Sequence, residues 1–285
     1  MRRNTNQLND CMIIGSGGQL GKALTLAFRG QKVATYDSYE LDITNRDAVI
    51  AAIRDCNPRF IINAAAMTNV DACEGEPDRA YAVNATGAEN ISIGAVETGS
   101  KLVLVSTNYV FDGVKPTPYI ESDPVNPLNV YGESKLNGER LCAGVVSDTW
   151  IVRTSSLYSA WKKNFVLTLL AAVKEGRHLR YVNDQYSGPT WVEELAVGIT
   201  ELIRVAPPGT YHLSNEGSAS WYEWAVEVLL AMKIDYPKLD AVPSTSFQRP
   251  ATVPPNGVLM NNAAAKLGVE LDGWKIALAR FVGSL

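Results

Sequence analysis

Cys11-Met12-Ile13-Ile14-Gly15-Ser16-Gly17-Gly18-Gln19-Leu20-Gly21 decides the fold. A short apolar run breaks into glycines, and a helical pattern, Leu20–Phe28, opens inside them. Gly15, Gly18 and Gly21 stand at G-x-x-G-x-x-G. The first permits a tight turn, the second lets backbone approach a phosphate, and the third lets helix and strand pack closely. A helix that begins there offers unpaired N–H groups and a positive dipole end to a pyrophosphate. Such a pattern alone is weak, but between a strand and a helix in the first unit of a chain it is a nucleotide-loop signal.

Outward from this loop the same alternation repeats. Lys32–Tyr36 ends in Asp37, Phe60–Ala66 runs through Asn63, and Lys101–Ser106 leads into Thr107. Thr149–Val152, Leu179–Val182 and Tyr211–Leu213 follow. Helical patterns separate them at Arg46–Arg54, Arg79–Thr98, Tyr131–Val146 and Val192–Val205. Near-continuous apolar strands between helices mean a parallel sheet covered on both faces. The expected fold is α/β, a Rossmann-like doubly wound parallel sheet with a smaller C-terminal substrate-binding lobe. Residues 1–153, completed by 192–215, are read as the dinucleotide-binding domain, and 154–191 with 216–285 as the lobe. After Ser214 the pattern loosens. Trp221–Met232, Asn262–Leu267 and Trp274–Phe281 read as helices, and the Pro, Ser and Thr of Pro237–Pro255 read as loop.

The second informative stretch is Ser106-Thr107-Asn108-Tyr109-Val110-Phe111-Asp112-Gly113, followed by Tyr131-Gly132-Glu133-Ser134-Lys135. Tyr131 and Lys135 are one helical turn apart and share a face. Reducing a ketone needs a hydride on the carbonyl carbon and an acid at its oxygen. A free Tyr titrates near about 10, and a neighbouring ammonium lowers that value. Thr107, at a strand end, can bond the same oxygen. These three residues are the expected catalytic group, with Tyr131 and Lys135 also facing the cofactor. Two positions admit two readings each. Asp37 is either a ligand of the adenosine ribose hydroxyls or an acidic turn residue. The Met67-Thr68-Asn69-Val70-Asp71 turn, with candidate contacts Thr68 and Val70, either touches cofactor or substrate or starts a helix. Asp42 and Ile43 are placed beside the adenine. His178 and His212 are read as structural, and Glu139 as a surface partner of Lys135 worth a few tenths of a kcal/mol.

The chain has 285 residues, enough to bury a large core. Its net charge of −4, with no Lys/Arg cluster, argues against a nucleic-acid partner. Cys11, Cys56, Cys73 and Cys142 lack metal-ligand spacing and read as buried thiols in a reducing compartment. Met1–Gln7 has basic residues but no apolar run behind it, and no stretch approaches the roughly 20 apolar residues of a membrane span. A cytoplasmic protein without membrane or metal is the expectation.

The quoted motifs resemble those of the extended short-chain dehydrogenase/reductases, and within them the dTDP-4-dehydrorhamnose reductase family. The likeness runs through Gly18-Gln19-Leu20-Gly21, Asp42-Ile43-Thr44-Asn45, Asn63-Ala64-Ala65-Ala66, Val83-Asn84-Ala85, Ser106-Thr107, Tyr131-Gly132, Ser134-Lys135, Arg153-Thr154-Ser155, Asn164-Phe165, Asp184-Gln185, Pro189-Thr190 and Arg249-Pro250. It implies a catalytic triad of Thr107, Tyr131 and Lys135. It implies that Gly15, Gly18, Gln19, Leu20, Gly21, Asp42, Ile43, Asn63, Ala64 and Ala65 line NADPH or NADH. It places Tyr109, Asn164, Gln185 and Arg249 near a dTDP-hexose, and it admits a homodimer. Two positions depart from the family pattern. Asn108 stands where the family has Asp, which removes a negative charge near the substrate, and Ser156 stands where it has Trp. Both bear on which hexose is bound. The function implied is reduction of dTDP-4-dehydro-L-rhamnose to dTDP-L-rhamnose with Tyr131 as proton donor. Two alternatives stay open: a nucleotide-sugar epimerase or dehydratase, and a noncatalytic dinucleotide-binding regulatory subunit.

Overall fold

In a computed structural model, residues 9–285 are described; the basic stretch Met1–Gln7 lies outside them. Strand β1 (Asn9–Ile14) shows why the first apolar run is continuous. Cys11 and Ile13 pack on one face with helices α1 (Gln19–Ala27) and, later in the chain, Val192–Val205. Met12 and Ile14 pack on the other face with Arg46–Cys56 and Gly87–Thr98. Successive side chains alternate across a strand, so a strand covered on both faces needs apolar residues at every position. Fully burying each contributes about 1.5–3 kcal/mol.

The remaining strands of the main sheet are β2 (Val33–Tyr36), β3 (Pro58–Asn63), β4 (Lys101–Thr107), β5 (Thr149–Thr154) and β6 (Gly209–His212). Their order is β2-β1-β3-β4-β5-β6, and every pair is parallel. The chain reverses direction across the sheet between β1 and β3, the switch point where doubly wound folds bind ligands. Strand β3 stops at Asn63, short of the expected Ala66. The Asn63 side chain accepts the Ala65 N–H at 3.0 Å and closes a turn there.

After α2 (Arg46–Cys56) come α3 (Val70–Gly75), α4 (Pro77–Tyr81) and α5 (Gly87–Thr98). The helix expected over Arg79–Thr98 is present, but it is interrupted by a π turn at Ala82–Thr86. That turn includes Asn84, whose amide accepts from the Met67 N–H and donates to the Met67 carbonyl and the Ser134 hydroxyl. Such turns recur at functional sites. Helix α6 (Val130–Val145) carries the Tyr–Lys pair, capped by Asn129 on the Gly132 N–H at 2.8 Å.

The lobe holds α7 (Phe165–Lys174), α9 (Trp221–Ala231) and α11 (Trp274–Gly283), while α8 (Val192–Val205) covers the main sheet and α10 (Asn262–Ala265) packs beside β6. An aromatic core of Tyr158, Trp224, Trp274 and Phe281 fills the lobe. The sequence reading passes over α7 and needs two corrections here. Leu179–Val182 does not join the main sheet; it pairs in parallel with Leu239–Val242. Pro237–Pro255 is accordingly not all loop. That pairing is between residues distant in sequence, and the Pro/Ser/Thr signal hid its second strand. A three-stranded sheet orders Ala219–Ser220, Tyr186–Ser187 and Asn256–Gly257. No helix among the described residues is long and apolar enough to cross a membrane.

Candidate active site

At the switch point a cavity of about 990 Å³ opens, at the upper end of ligand sites, roughly 300–1,000 Å³. Gly15, with φ +87°, sits so close to β3 that a Cβ there would meet the Ala65 nitrogen at 2.6 Å. A Cβ on Gly21 would meet the Gly15 carbonyl at 2.2 Å, so the third glycine is needed for packing. Helix α1 begins at Gly18 with no side-chain cap and no acidic residue in its first turn. Its first N–H groups and dipole end suit an anion. Gly15, Gly18, Asp37, Asp42, Ile43, Ala64 and Ala65 line this cavity, whereas Gly21, Asn63, Tyr131 and Lys135 do not.

Asp37 fits both of its readings. One carboxylate oxygen accepts the Tyr39 and Glu40 N–H groups at 2.8 and 3.2 Å, as in an acidic turn. The side chain also packs across from Gly17 and lines the cavity. Lys22, Tyr39, Arg79 and Lys162 line it too, and sequence reasoning missed them. Tyr39 is 98% exposed beside the cavity, which its loop position in Ser38-Tyr39 could have signalled.

Other expected residues are spent inside the protein. Leu20 buries its side chain in the main core. The Gln19 side-chain oxygen accepts from Ser159 and Asn164 at 2.8 and 3.2 Å. Asn164 also caps α7 on the Leu167 N–H. The turn after β3 is a helix start: Asn69 caps α3 on the Ala72 N–H, and Thr68 is exposed. Neither Thr68 nor Val70 lines the cavities described here.

Thr107 ends β4, and a short 3-10 turn, Asn108–Val110, follows it. Helix α6 presses onto that turn; a Cβ on Gly132 would stand 2.1 Å from the Tyr109 carbonyl oxygen. This contact brings Tyr131 against Thr107. Burial pushes the Tyr131 phenol up to about 12, and the Thr107 hydroxyl, bonding the phenolate, opposes the rise. The phenol thus holds its proton throughout the neutral range. Lys135 is buried, and burial pushes its ammonium down to about 8 against the upward pull of Glu139. Its Nζ donates to the Val105 carbonyl at 2.7 Å. The expectation that the ammonium leaves Tyr131 more acidic than a free phenol is not met: burial dominates, and it is the Thr107 hydroxyl, not Lys135, that opposes it.

Glu139 corrects the sequence reading outright. It is buried rather than a surface partner of Lys135, and its carboxylate takes the Arg153 guanidinium at 3.0 and 2.6 Å. The Ser106 hydroxyl donates to the same group. Arg153 lies over the Phe111 ring at 5.3 Å. This ion pair joins α6 to β5, and Ser106 ties β4 to it. His212 is buried and held neutral, its pKa pushed down to about 3 mainly by burial. His178 is an exposed partner of Asp240 at 2.8 Å. All four cysteines are buried and unpaired.

On the lobe side a second, small cavity is lined by Asn108, Tyr109, Ser156, Gln185, Tyr186 and Trp221, among others. Trp221 supplies an indole to the cavity that Ser156 also lines. Arg249 forms an ion pair with Asp71, its Nε and Nη2 at 3.2 and 3.1 Å from one oxygen, and lines neither cavity.

Residues 9–285 match the family model described as the RmlD substrate binding domain. The dTDP-4-dehydrorhamnose reductase of Escherichia coli (strain K12) is 36% identical, over 96% of this chain and 97% of its own. The chain belongs to the dTDP-4-dehydrorhamnose reductase family. By that membership it is an oxidoreductase built on a Rossmann sheet. It is also similar to the spore coat polysaccharide biosynthesis protein SpsK of Bacillus subtilis (strain 168), 34% identical over 95% of this chain and 96% of that one. The crystal structure of the reductase from Bacillus anthracis str. Ames, in complex with NADP, superposes with a TM-score of 0.94. It is 35% identical and covers 98% of this chain and 100% of its own. A UDP-glucose 4-epimerase from Thermus thermophilus, at 18% identity and a TM-score of 0.85, shares the fold.

Proposed function

We propose that this protein reduces the C4 ketone of a nucleotide-activated 4-keto-6-deoxyhexose, dTDP-4-dehydro-L-rhamnose, to dTDP-L-rhamnose with NADPH or NADH. The observation that most supports the reading is that Thr107 and Tyr131 meet at the end of β4, with Lys135 one turn along the same helix and held to the Val105 carbonyl, in a chain whose glycine loop borders a dinucleotide-sized cavity. The cavity fits the cofactor. Gly15 and Gly21 leave no room for side chains in the cradle, the α1 N-terminus is uncapped, and Asp37 and Asp42 border the sugar-binding end of the family pattern. Bound there, NAD(P)H supplies the hydride.

The protein's own groups supply the rest. Tyr131 gives its proton to the C4 oxygen as negative charge develops. Thr107 donates a hydrogen bond to the same oxygen. Lys135, one turn along α6, is the cation available to stabilise the phenolate left behind. Tyr109, Gln185 and Arg249 stand on the lobe side, where the sugar nucleotide enters.

The test is loss of absorbance at 340 nm with NADPH, and separately with NADH, on adding dTDP-4-dehydro-L-rhamnose made in situ. Stoichiometric loss supports the reading. Turnover of the sugar without net oxidation of the dinucleotide would replace it with an epimerase.

A further inference from the structure

Asn108 is 5% exposed, and both ends of its amide are engaged. Nδ2 donates to the Gly257 carbonyl at 2.9 Å, across 149 residues of sequence. Oδ1 accepts from the Thr107 hydroxyl at 3.3 Å. A carbonyl only accepts, so Gly257 dictates which way the amide faces. Oδ1 also only accepts, so with no substrate bound it takes the Thr107 hydrogen and anchors that hydroxyl. The Thr107 oxygen also accepts from the Tyr109 N–H, 3.2 Å away, and its hydroxyl lies within bonding reach of the Tyr131 oxygen.

We propose that Asn108 is a positioning residue: its amide anchors the Thr107 hydroxyl beside Tyr131, from where that hydroxyl turns to the substrate oxygen as it docks. The proposal rests on the carbonyl-reduction reading above. The fit around the amide is tight: a Cβ on Gly257 would lie 2.2 Å from Nδ2. Gly257 pairs with Ser187 in the lobe sheet, and the Ser187 hydroxyl bonds that of Ser156 at 2.6 Å. The amide therefore ties the proton-delivering turn to the strand that carries Tyr186 and follows Gln185. Movement of that strand on a bound sugar reaches Thr107 through one hydrogen-bond chain.

An acidic residue at 108 could not make this link while ionised, because its oxygen would face the Gly257 oxygen at the same separation. Only the protonated acid can donate there and accept from Thr107. This gives Asn108→Asp a distinctive signature. The small cavity beside position 108 is lined by no charged side chain; its titratable members are Tyr109 and Tyr186. The site's other charges are Lys135, held on the Val105 carbonyl, and the Arg249–Asp71 pair acting on Tyr109. With burial and an acceptor opposite, the introduced carboxyl titrates above its usual value of about 3.9.

The experiment compares wild type, N108D and N108A across pH 5 to 8.5. For N108D, kcat/KM is near wild type at the acidic end and falls about tenfold or more relative to wild type as pH rises. Its melting temperature without ligands drops below that of wild type in the same direction. For N108A, kcat is about tenfold lower at every pH, while KM for the dinucleotide is unchanged. If N108D does not accumulate as folded protein, Gly257→Ala probes the same contact and is expected to lower kcat while KM for the dinucleotide is unchanged. N108D profiles parallel to wild type in activity and melting, or an unchanged kcat in Gly257→Ala, overturn the proposal. If wild type itself fails to reduce the ketone, the reductase reading falls, and the melting profiles still test the amide link.

Discussion

At the residue scale the proposed chemistry depends on two groups whose proton affinities burial displaces, Tyr131 and Lys135. Lys135 is held down to about 8 by burial. If its charge is needed beside Tyr131, kcat/KM falls as pH rises through about 8, and a pH–rate profile will show that alkaline limb. The fold disfavours the ammonium, so Lys135→Met removes a cost. The sign follows from linkage: the penalty is complete below pH 8 and fades as pH rises toward 10.5. Lys135→Met is expected to raise stability on the order of 1–3 kcal/mol at pH 7 while abolishing turnover, as thermal melts and the 340 nm assay will check. Tyr131→Phe keeps the ring packing and removes the proton; turnover drops by roughly 10²–10⁴ with dinucleotide affinity unchanged in titration calorimetry.

Glu139 behaves differently, because the charge lost there would leave Arg153 buried without its partner. Glu139→Ala is expected to destabilise by about 3–5 kcal/mol in denaturant melts. Adding Arg153→Met should recover part of that loss, since it removes the stranded charge. Sequence reasoning could see Glu139 one turn from Lys135 but not Arg153 on the next strand. Pairing between elements is set by packing, and no local spacing encodes it. The meeting of Tyr131 with Thr107, and of Lys135 with the same helix face, was legible for the opposite reason. Tyr131 and Lys135 are related by one helical turn, and Thr107 closes an apolar run, so local periodicity placed all three. Lys22, Tyr39, Arg79 and Lys162 reach the large cavity from separate elements with no shared spacing.

At the scale of elements the site depends on close approaches. Helix α6 meets the 3-10 turn through Gly132 and the π turn through Gly138, whose Cβ would stand 2.3 Å from the Asn84 carbonyl oxygen. Gly132→Ala must push α6 away from Thr107. Overpacking of this kind costs about 1–3 kcal/mol. The expected outcome is a lower melting temperature and a larger loss in kcat than in KM for the dinucleotide. The main sheet was readable because buried parallel strands are apolar at every position, as in Cys11–Ile14. The lobe was less so. Leu239–Val242 gains its identity only by pairing with Leu179–Val182 some 60 residues earlier.

At the scale of the whole molecule, the segment around Arg249 straps the lobe to the Rossmann sheet. Arg249 and Asp71 are 38% and 37% exposed at their side chains, so their pair contributes at most about 1 kcal/mol. Arg249→Ala is therefore expected to leave the melting temperature within a degree or two. If the strap also serves the sugar nucleotide, KM for that substrate rises while KM for NAD(P)H does not. Steady-state kinetics with each varied in turn separates the two.

The connection between β5 and β6 has a consequence during synthesis. Strand β5, with the apolar run Trp150-Ile151-Val152, pairs on one side with β4 and on the other with β6. Residues 155–208 lie between them, including all of α7 and α8. A ribosome adding roughly 5–20 residues per second needs roughly 3–11 seconds to make them. For that interval the nascent sheet ends in an open, water-averse edge, ready to pair with any extended chain nearby. Slowed translation over 155–208 lengthens that exposure, so the yield of folded protein from a cell is tied to the pace at which those codons are read.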